Sequence, residues 1–454
     1  MSEIREHATL MSESRRESNH PAGMAIGLAV GLVLGLLVNL LSKNREIFWL
    51  SPFFGWLTPA RIEWVTGYVV EPVGKVFLRL ILCVVLPLVF SALVLAVVEL
   101  KDIRKLGTVG LRAIVFTLLF SVCSVVIGLT LVHTFGPGYA ISGQTREEIQ
   151  SHYRMSERDG RPAAKPISQI LLDLIPENPL QEAVGALDGS AKGNGMLALM
   201  VFALLVGCAA VSVGSTADGV VGVLEGLFAI SMKIVDWAMR IAPVGVGCLM
   251  FAAMARLGVD LIVPLFGFLA VALAGLAAQT CGVYPVALRL CGIRPGRFFR
   301  AIRSVMLTAF GTSSSNATLP TALRAAEENL ELSPQIARFV LTVGATGNQN
   351  GTALYEGVVI LFLCQVFGVH LTLLQQASVM VFAILAGVGT AGVPAGSIPM
   401  IMAILAGIGV PPEGIGLILG FDRFLDMCRT VVNVTGDLAI AQCLDEWHKK
   451  QQAE

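Results

Sequence analysis

The stretch Asp422–Asp437 reads DRFLDMCRTVVNVTGD and places four charges, Asp422, Asp426, Arg429 and Asp437, on one side of an otherwise apolar segment. It is flanked by Ile415-Gly-Leu-Ile-Leu-Gly420 before and Leu438-Ala-Ile-Ala441 after. At about 100° per residue, Asp422, Asp426, Arg429, Thr430, Asn433 and Asp437 share roughly a 100° wedge of one helix. In lipid, each unpaired charge costs about 2.5–3.5 kcal/mol on insertion scales, so four cost on the order of 12 kcal/mol unless they face a protein-lined cavity. An amphipathic helix of a soluble domain would solvate them instead, and composition decides between the two.

The chain has 454 residues, 55% hydrophobic and 14% charged, with a mean hydropathy of +0.75. Soluble domains carry about a quarter charged residues, so this composition predicts an all-α, multi-pass membrane protein. Apolar runs of spanning length occur at Ala22–Leu41, Val76–Val98, Val109–Phe135, Met196–Val213, Gly222–Ala255, Leu261–Leu290, Ile336–Val369 and Gly414–Cys443. The formal net charge is zero, which suggests no nucleic-acid partner. The cysteines lie mostly inside apolar runs without CxxC or Cys/His spacing, so they read as lipid-buried thiols, not as disulfides or metal ligands. Basic clusters at Lys101, Arg104, Lys105 and Arg112, and at Arg289, Arg294, Arg297, Arg300 and Arg303, predict cytoplasmic loops. Counting spans back places the N-terminus inside and the long polar connection 136–194 outside.

Gly23, Gly27, Gly31 and Gly35 recur along the first span, a spacing that lets a second helix approach closely. Lys233, Asp236 and Arg240 stand at helical spacing, as a structural ion pair would. Beyond Arg303 the character changes. Ala309–Pro320 (AFGTSSSNATLP) puts hydroxyls and an amide between apolar flanks, and Gly387–Pro399 (GVGTAGVPAGSIP) repeats that style. Between them, Gly344-Ala-Thr-Gly-Asn-Gln-Asn-Gly-Thr352 breaks a membrane helix, and such oxygen-rich breaks suit hard cations. The C-terminal half therefore reads as hairpin, broken helix, hairpin, polar helix. Interrupted apolar segments in corresponding positions point to a transporter's binding site at the bilayer midplane.

At these residues the chain resembles the glutamate transporter family, the dicarboxylate/amino acid:cation symporters, over about Ala22–Cys443. The similarity is carried by Ser313–Asn316 before Ala-Thr-Leu-Pro, by Asn348-Gln-Asn-Gly-Thr352, by Gly389-Thr-Ala-Gly-Val-Pro394, and by Asp426-Met-Cys-Arg-Thr430 with Asn433 and Asp437. It implies eight transmembrane helices, two re-entrant hairpins arranged as inverted repeats, a homotrimer and an elevator movement. The implied division is a cytoplasmic tail 1–20, then a mainly scaffold region 21–256 that includes transport helix 108–135 and external loop 136–194. A transport domain 257–444 follows, with hairpin 1 near 297–333, a broken helix 335–369, hairpin 2 near 371–410 and a polar helix 411–444. Residues 445–454 form a second cytoplasmic tail.

Carried over residue by residue, Arg429 would grip a substrate side-chain carboxylate and Asp426 would accept its ammonium. Thr352, Thr430, Asn433, Ser313, Ser314, Ser315 and Val393 would complete the pocket. One sodium site would use Gly344, Asn348, Asn433 and Asp437, and a second Thr346, Gly387, Val388 and Thr390, with Gln349 where the family has methionine. A third is degraded: its aspartate is Asn350, its tyrosine aligns with Thr117 and its threonine with Phe120, leaving Ser121. Glu356 matches members that carry a proton, since desolvation disfavours a charged carboxyl; a hydrogen-bonded structural glutamate is the alternative reading. For Asp426 and Arg429 the alternative is a buried salt bridge within one helix.

The expected function is secondary active symport of L-glutamate or L-aspartate across the inner (cell) membrane, coupled to Na+, H+ or both, with no cofactor and both termini cytoplasmic. A proton-coupled C4-dicarboxylate symporter is the nearest rival, and Asp426 speaks against it. An integral-membrane enzyme using Asp422, Asp426 and Asp437 is the rival from another class; no His, Cys or second acidic helix completes such a site.

Overall fold

A computed structural model of the chain describes residues 23–41, 59–99, 108–152, 172, 175–188, 196–389 and 396–453, and no strand occurs among them. The main helices are α1 (Gly23–Leu41), α2 (Glu71–Leu82), α3 (Val85–Glu99), α4 (Thr108–Phe135), α5 (Met196–Val213), α6 (Asp218–Leu257), α7 (Ile262–Ala278) and α8 (Tyr284–Leu290). They continue with α9 (Arg303–Thr312), α10 (Ser315–Arg324), α11 (Pro334–Gly347), α12 (Asn350–Phe367), α13 (Leu373–Gly389), α14 (Ser397–Gly407) and α15 (Leu419–Ala453). Five apolar helical stretches among the described residues have the length and composition to cross a membrane: Gly23–Leu41, Ala60–Val98, Gly110–Ala140, Ala198–Leu290 and Pro334–Phe367. Ala198–Leu290 is far longer than one crossing and contains α5 to α8. Leu111, Val115, Leu118, Leu119, Val122 and Val126 of α4 are all exposed. In water that stripe would be a liability, and in a bilayer it is the lipid face.

Proline shapes the helix interiors. Short π-helical turns at Thr66–Val70 and Gln279–Val283 end just ahead of Pro72 and Pro285. A proline ring clashes with the carbonyl one turn back, and the wider turn makes room for it. The second span therefore begins at Pro59, well before the Val76 expected from hydropathy.

Two sets of helices pack within themselves. In the first, α2 and α3 lie on α6, and α3 also packs on α5. The glycines of α1 face α6: a side chain at Gly27 would strike the Pro243 carbonyl, and one at Gly31 the Gly247 carbonyl. Small residues thus bring the two backbones together, as the fourfold spacing predicts. Arg256 of α6 ties that helix to the start of the second span, bonding Glu63 at 3.0 Å and Glu71 of α2 at 3.1 Å. Asp236 pairs with Lys233 (3.2 Å) and Arg240 (3.1 Å) on a half-exposed face, the structural ion pair the spacing suggested.

The second set surrounds α12, every residue of which is buried. A helix that is apolar all round needs protein on every side, and α4, α7, α13 and α15 supply it. Helices α9 and α10 form a hairpin that packs on α15 and α11, and α13 and α14 form a second. The tip of that second hairpin, with Thr390 and Val393, lies outside the described residues, as do Lys101, Arg104, Lys105 and most of the connection 153–195. Helix α15 runs to Ala453 and so takes in residues 445–453 of the segment read as a tail. Its last turns are tied down: Asp445 accepts from the Ser333 backbone N–H at 3.0 Å and from the Ser333 hydroxyl, at the start of α11. Lys449 pairs with Asp445 at 2.7 Å, and Arg112 of α4 lies over the Trp447 ring.

Candidate binding site on the buried polar helix

All six residues of the predicted polar face of α15 are buried, with exposures from 2% for Asp422, Arg429 and Asn433 to 4% for Thr430. The wedge faces protein. At its N-terminal end the charges pair with one another. Arg429 donates from Nε and Nη2 to Asp426 Oδ1, both at 2.8 Å, and its Nη1 stands 3.6 Å from Asp422 Oδ1. Tyr355 of α12 donates its hydroxyl to the same Asp422 oxygen at 2.8 Å and lays its ring under the guanidinium at 4.7 Å. The pairing within one helix is therefore real, and it extends to Asp422 and Tyr355, which the sequence reading did not include in the site. Asp422 was legible, since it shares the wedge. Tyr355 was not, because nothing in the apolar run Ala353–Phe367 marks it out.

Beside the charges, the hairpin tip turns at Ser313, whose φ of 52° lies in the left-handed region. Ser314 caps α10 by accepting from the Ala317 N–H at 3.2 Å. The hydroxyls of Ser313 and Ser315 are buried with no hydrogen-bond partner among the described residues. Phe310 of α9 packs edge-on against Phe424 of α15, which sets the hairpin next to Asp426.

Further along α15 the chemistry changes from charges to amides. The predicted break occurs at Asn348–Gln349, between α11 and α12. Asn433 accepts from the Gly351 N–H at 2.7 Å and donates to Thr352 Oγ1 at 3.1 Å and to Gln349 Oε1. Asn348 donates to Asp437 Oδ1 at 2.7 Å, while its own Oδ1 is buried without a partner. Gly344 has no room for a side chain, because a Cβ there would run into the Asp437 carboxylate. Gly344, Asn348, Asn433 and Asp437 thus meet at the helix break. Of the other predicted cation ligands, Gly387 of α13 lies against Gln349, and Thr346 donates to the Val343 carbonyl at 3.2 Å. The side chain of Val388 is outside the described residues. Thr430 donates to the Asp426 carbonyl at 2.8 Å, within its own helix.

Asn350 sits in a closed polar network. Ser121 donates to its Oδ1 at 2.8 Å, and its Nδ2 donates to the Tyr284 hydroxyl at 3.2 Å, which in turn donates to the Val432 carbonyl at 3.0 Å. Ser124 donates to its backbone carbonyl. Ser121 and Asn350 are brought together as expected; Thr117 is half-buried, and Phe120 packs its ring on Tyr284 at 5.1 Å. Ser124, one turn from Ser121 on α4, is a further member, and so is Tyr284 of α8, which spacing alone did not reveal because it comes from another helix. Glu356 is 0% exposed, and neither carboxyl oxygen has a hydrogen-bond partner among the described residues.

The pattern of the sodium:dicarboxylate symporter family matches residues 22–447. The chain belongs to that family. It is a multi-pass membrane transporter, a symporter and not an enzyme. The chain is 30% identical over 383 residues to the proton/glutamate-aspartate symporter of Bacillus subtilis (strain 168), covering 84% of this chain and 90% of that one. It is 29% identical over 378 residues to the proton/sodium-glutamate symport protein of the same organism, covering 83% and 86%. It is also 28% identical over 399 residues to the C4-dicarboxylate transport protein of Anaeromyxobacter sp. (strain K), covering 88% and 87%.

Proposed function

We propose that this symporter carries an acidic amino acid, aspartate or glutamate, into the cell across the inner membrane, with sodium ions, protons or both as co-substrates. The observation that carries this reading is the buried Asp426–Arg429 pair, 2.8 Å apart on a helix packed against the hairpin whose Ser313 and Ser315 hydroxyls have no hydrogen-bond partner among the described residues. An amino acid dicarboxylate presents both complements: a carboxylate for the guanidinium and an ammonium for Asp426. Ser313 and Ser315 offer donors for a second carboxylate, and Thr352 and Asn433 line the wall below. A C4-dicarboxylate would leave Asp426 facing an anion, which disfavours that substrate.

Asp437 fits a co-transported sodium ion: it is 3% exposed and is met by an amide whose own oxygen is unpartnered. The Thr346, Gly387, Val388 and Thr390 carbonyls form the proposed second site. At Asn350 an amide N–H2 stands where a cation would need oxygen, so a third site is weak or absent. Glu356 is the proposed proton carrier, because an ionised carboxylate with no partner in apolar surroundings is strongly disfavoured. Both hairpins re-enter the bilayer in this reading, the helices cross it eight times, and 257–444 with helix 108–135 moves as an elevator against a trimeric scaffold.

The test is aspartate and glutamate uptake into proteoliposomes with sodium and pH gradients imposed separately. Accumulation on sodium alone makes the Asp437 site the motor. Accumulation on protons alone turns attention to Glu356. No accumulation of either amino acid under any gradient would overturn the reading.

A further inference from the structure

Arg423 stands beside the polar wedge without belonging to it, about 60° around the helix from Asp426. Its side chain is nonetheless largely covered, at 13% exposure, and its Nη1 lies 3.5 Å from Asp426 Oδ2. Its Nε is buried without a hydrogen-bond partner. Asp426 is therefore held by two guanidiniums, Arg429 on Oδ1 and Arg423 on Oδ2. With Asp422, these residues sum to zero formal charge.

We propose that Arg423 is a positioning residue: it keeps Asp426 paired while Arg429 changes partners, and so sets the preference for amino acids over dicarboxylates that lack an ammonium. The inference rests on the reading of Arg429 as carboxylate clasp and Asp426 as ammonium acceptor. For Arg429 to grip a carboxylate, its Nε and Nη2 must leave Asp426 Oδ1. A buried carboxylate stripped of its partner is heavily penalised. Arg423 remains on the other oxygen, and the incoming ammonium takes the place on Oδ1 that Arg429 gave up. One cation replaces another, and the exchange stays balanced. A dicarboxylate brings no ammonium, so the place Arg429 gave up on Oδ1 is not refilled by a cation, and the discrimination depends on Asp426 staying in place. Without Arg423 the cluster is net negative before an anionic substrate arrives.

The experiment measures initial rates of aspartate uptake by the full-length protein in proteoliposomes, for wild type, Arg423→Gln, Arg423→Lys and Arg429→Ala, with succinate as competitor. Loss of a charge-assisted contact is expected to raise the aspartate KM of Arg423→Gln by about tenfold. Vmax per transporter should stay within about twofold, since uniform binding is what is removed. Arg423→Lys should recover most of the KM, because a point charge serves a single contact. The succinate inhibition constant should move less than about twofold, there being no ammonium to place. An unchanged KM in Arg423→Gln, an equal loss for aspartate and succinate, or a fall in Vmax alone would overturn the proposal. Aspartate uptake by Arg429→Ala with a wild-type KM would instead overturn the underlying assignment of the site.

Discussion

The two ends of the polar face of α15 are built on opposite electrostatic plans. At the N-terminal end, Asp422 and Asp426 are balanced by Arg423 and Arg429, and Tyr355 supplies a further hydrogen bond. At the C-terminal end, Asp437 has no ion-pair partner among the described residues, and Asn348 meets it with an amide. Both carboxylate groups are equally buried, at 2–3% exposure. A balanced cluster can exchange one ion pair for another, which suits an organic anion that also carries an ammonium. An unbalanced carboxylate at a helix break has one charge to give to a cation. The proposed substrate and coupling-ion sites thus fall at the two ends of one helix, set apart by this difference in charge balance.

The comparison breaks most severely at Arg429. Arg429→Ala removes the guanidinium proposed to hold the substrate carboxylate and leaves Arg423 to balance both Asp422 and Asp426, and loss of such a buried partner costs about 3–5 kcal/mol. Aspartate affinity, measured by titration calorimetry, should therefore fall by more than about a hundredfold. Asp437→Asn removes the unbalanced charge while keeping the shape. The slope of log affinity for aspartate against log sodium concentration should drop by about one, the stoichiometry of one lost ion site; an unaltered slope would remove Asp437 from the cation site. Glu356→Gln tests whether proton coupling lies outside both ends. Uptake should lose its pH dependence while sodium dependence persists, and an unchanged pH profile would leave Glu356 a structural residue.

The smallest effect is expected at the C-terminal end of α15, beyond the polar face. Burial alone would push the Asp445 carboxyl up, but hydrogen bonds from Lys449 and Ser333 outweigh it and hold it below the usual carboxylate range. A depressed carboxyl stabilises the fold above its unfolded value, about pH 3.9, and loses that contribution as pH falls below it. Asp445→Asn should therefore cost about 1 kcal/mol at neutral pH, as for loss of a helix cap. The difference from wild type in thermal unfolding should narrow in acid; a pH-independent difference would place the effect in packing instead.

How far the site was legible depends on which element each residue comes from. The wedge on α15 follows from helical periodicity, because its members are on one strip of one helix and their angles are fixed by spacing. The Asn348–Gln349 break was legible because glycines and amides cannot continue a buried helix smoothly. The contacts across elements were not. Nothing in the spacing of Tyr284 shows that its hydroxyl reaches Asn350 at 3.2 Å, or that Tyr355 supports both Asp422 and Arg429. Arg423 was passed over for a related reason: its Cα is off the wedge, and only its long side chain brings the charge back.

The sequence by itself determined the membrane class, the helical periodicity, the glycine stripe of α1 and the identity of the polar face, because each depends on composition or on residues close along the chain. Tertiary structure decided what surrounds those charges. The ion pairs of Asp426 lie within α15 at helical spacing, but the Tyr355 hydroxyl on Asp422 and the Asn348 amide on Asp437 come from helices far apart in sequence, and no local pattern encodes them.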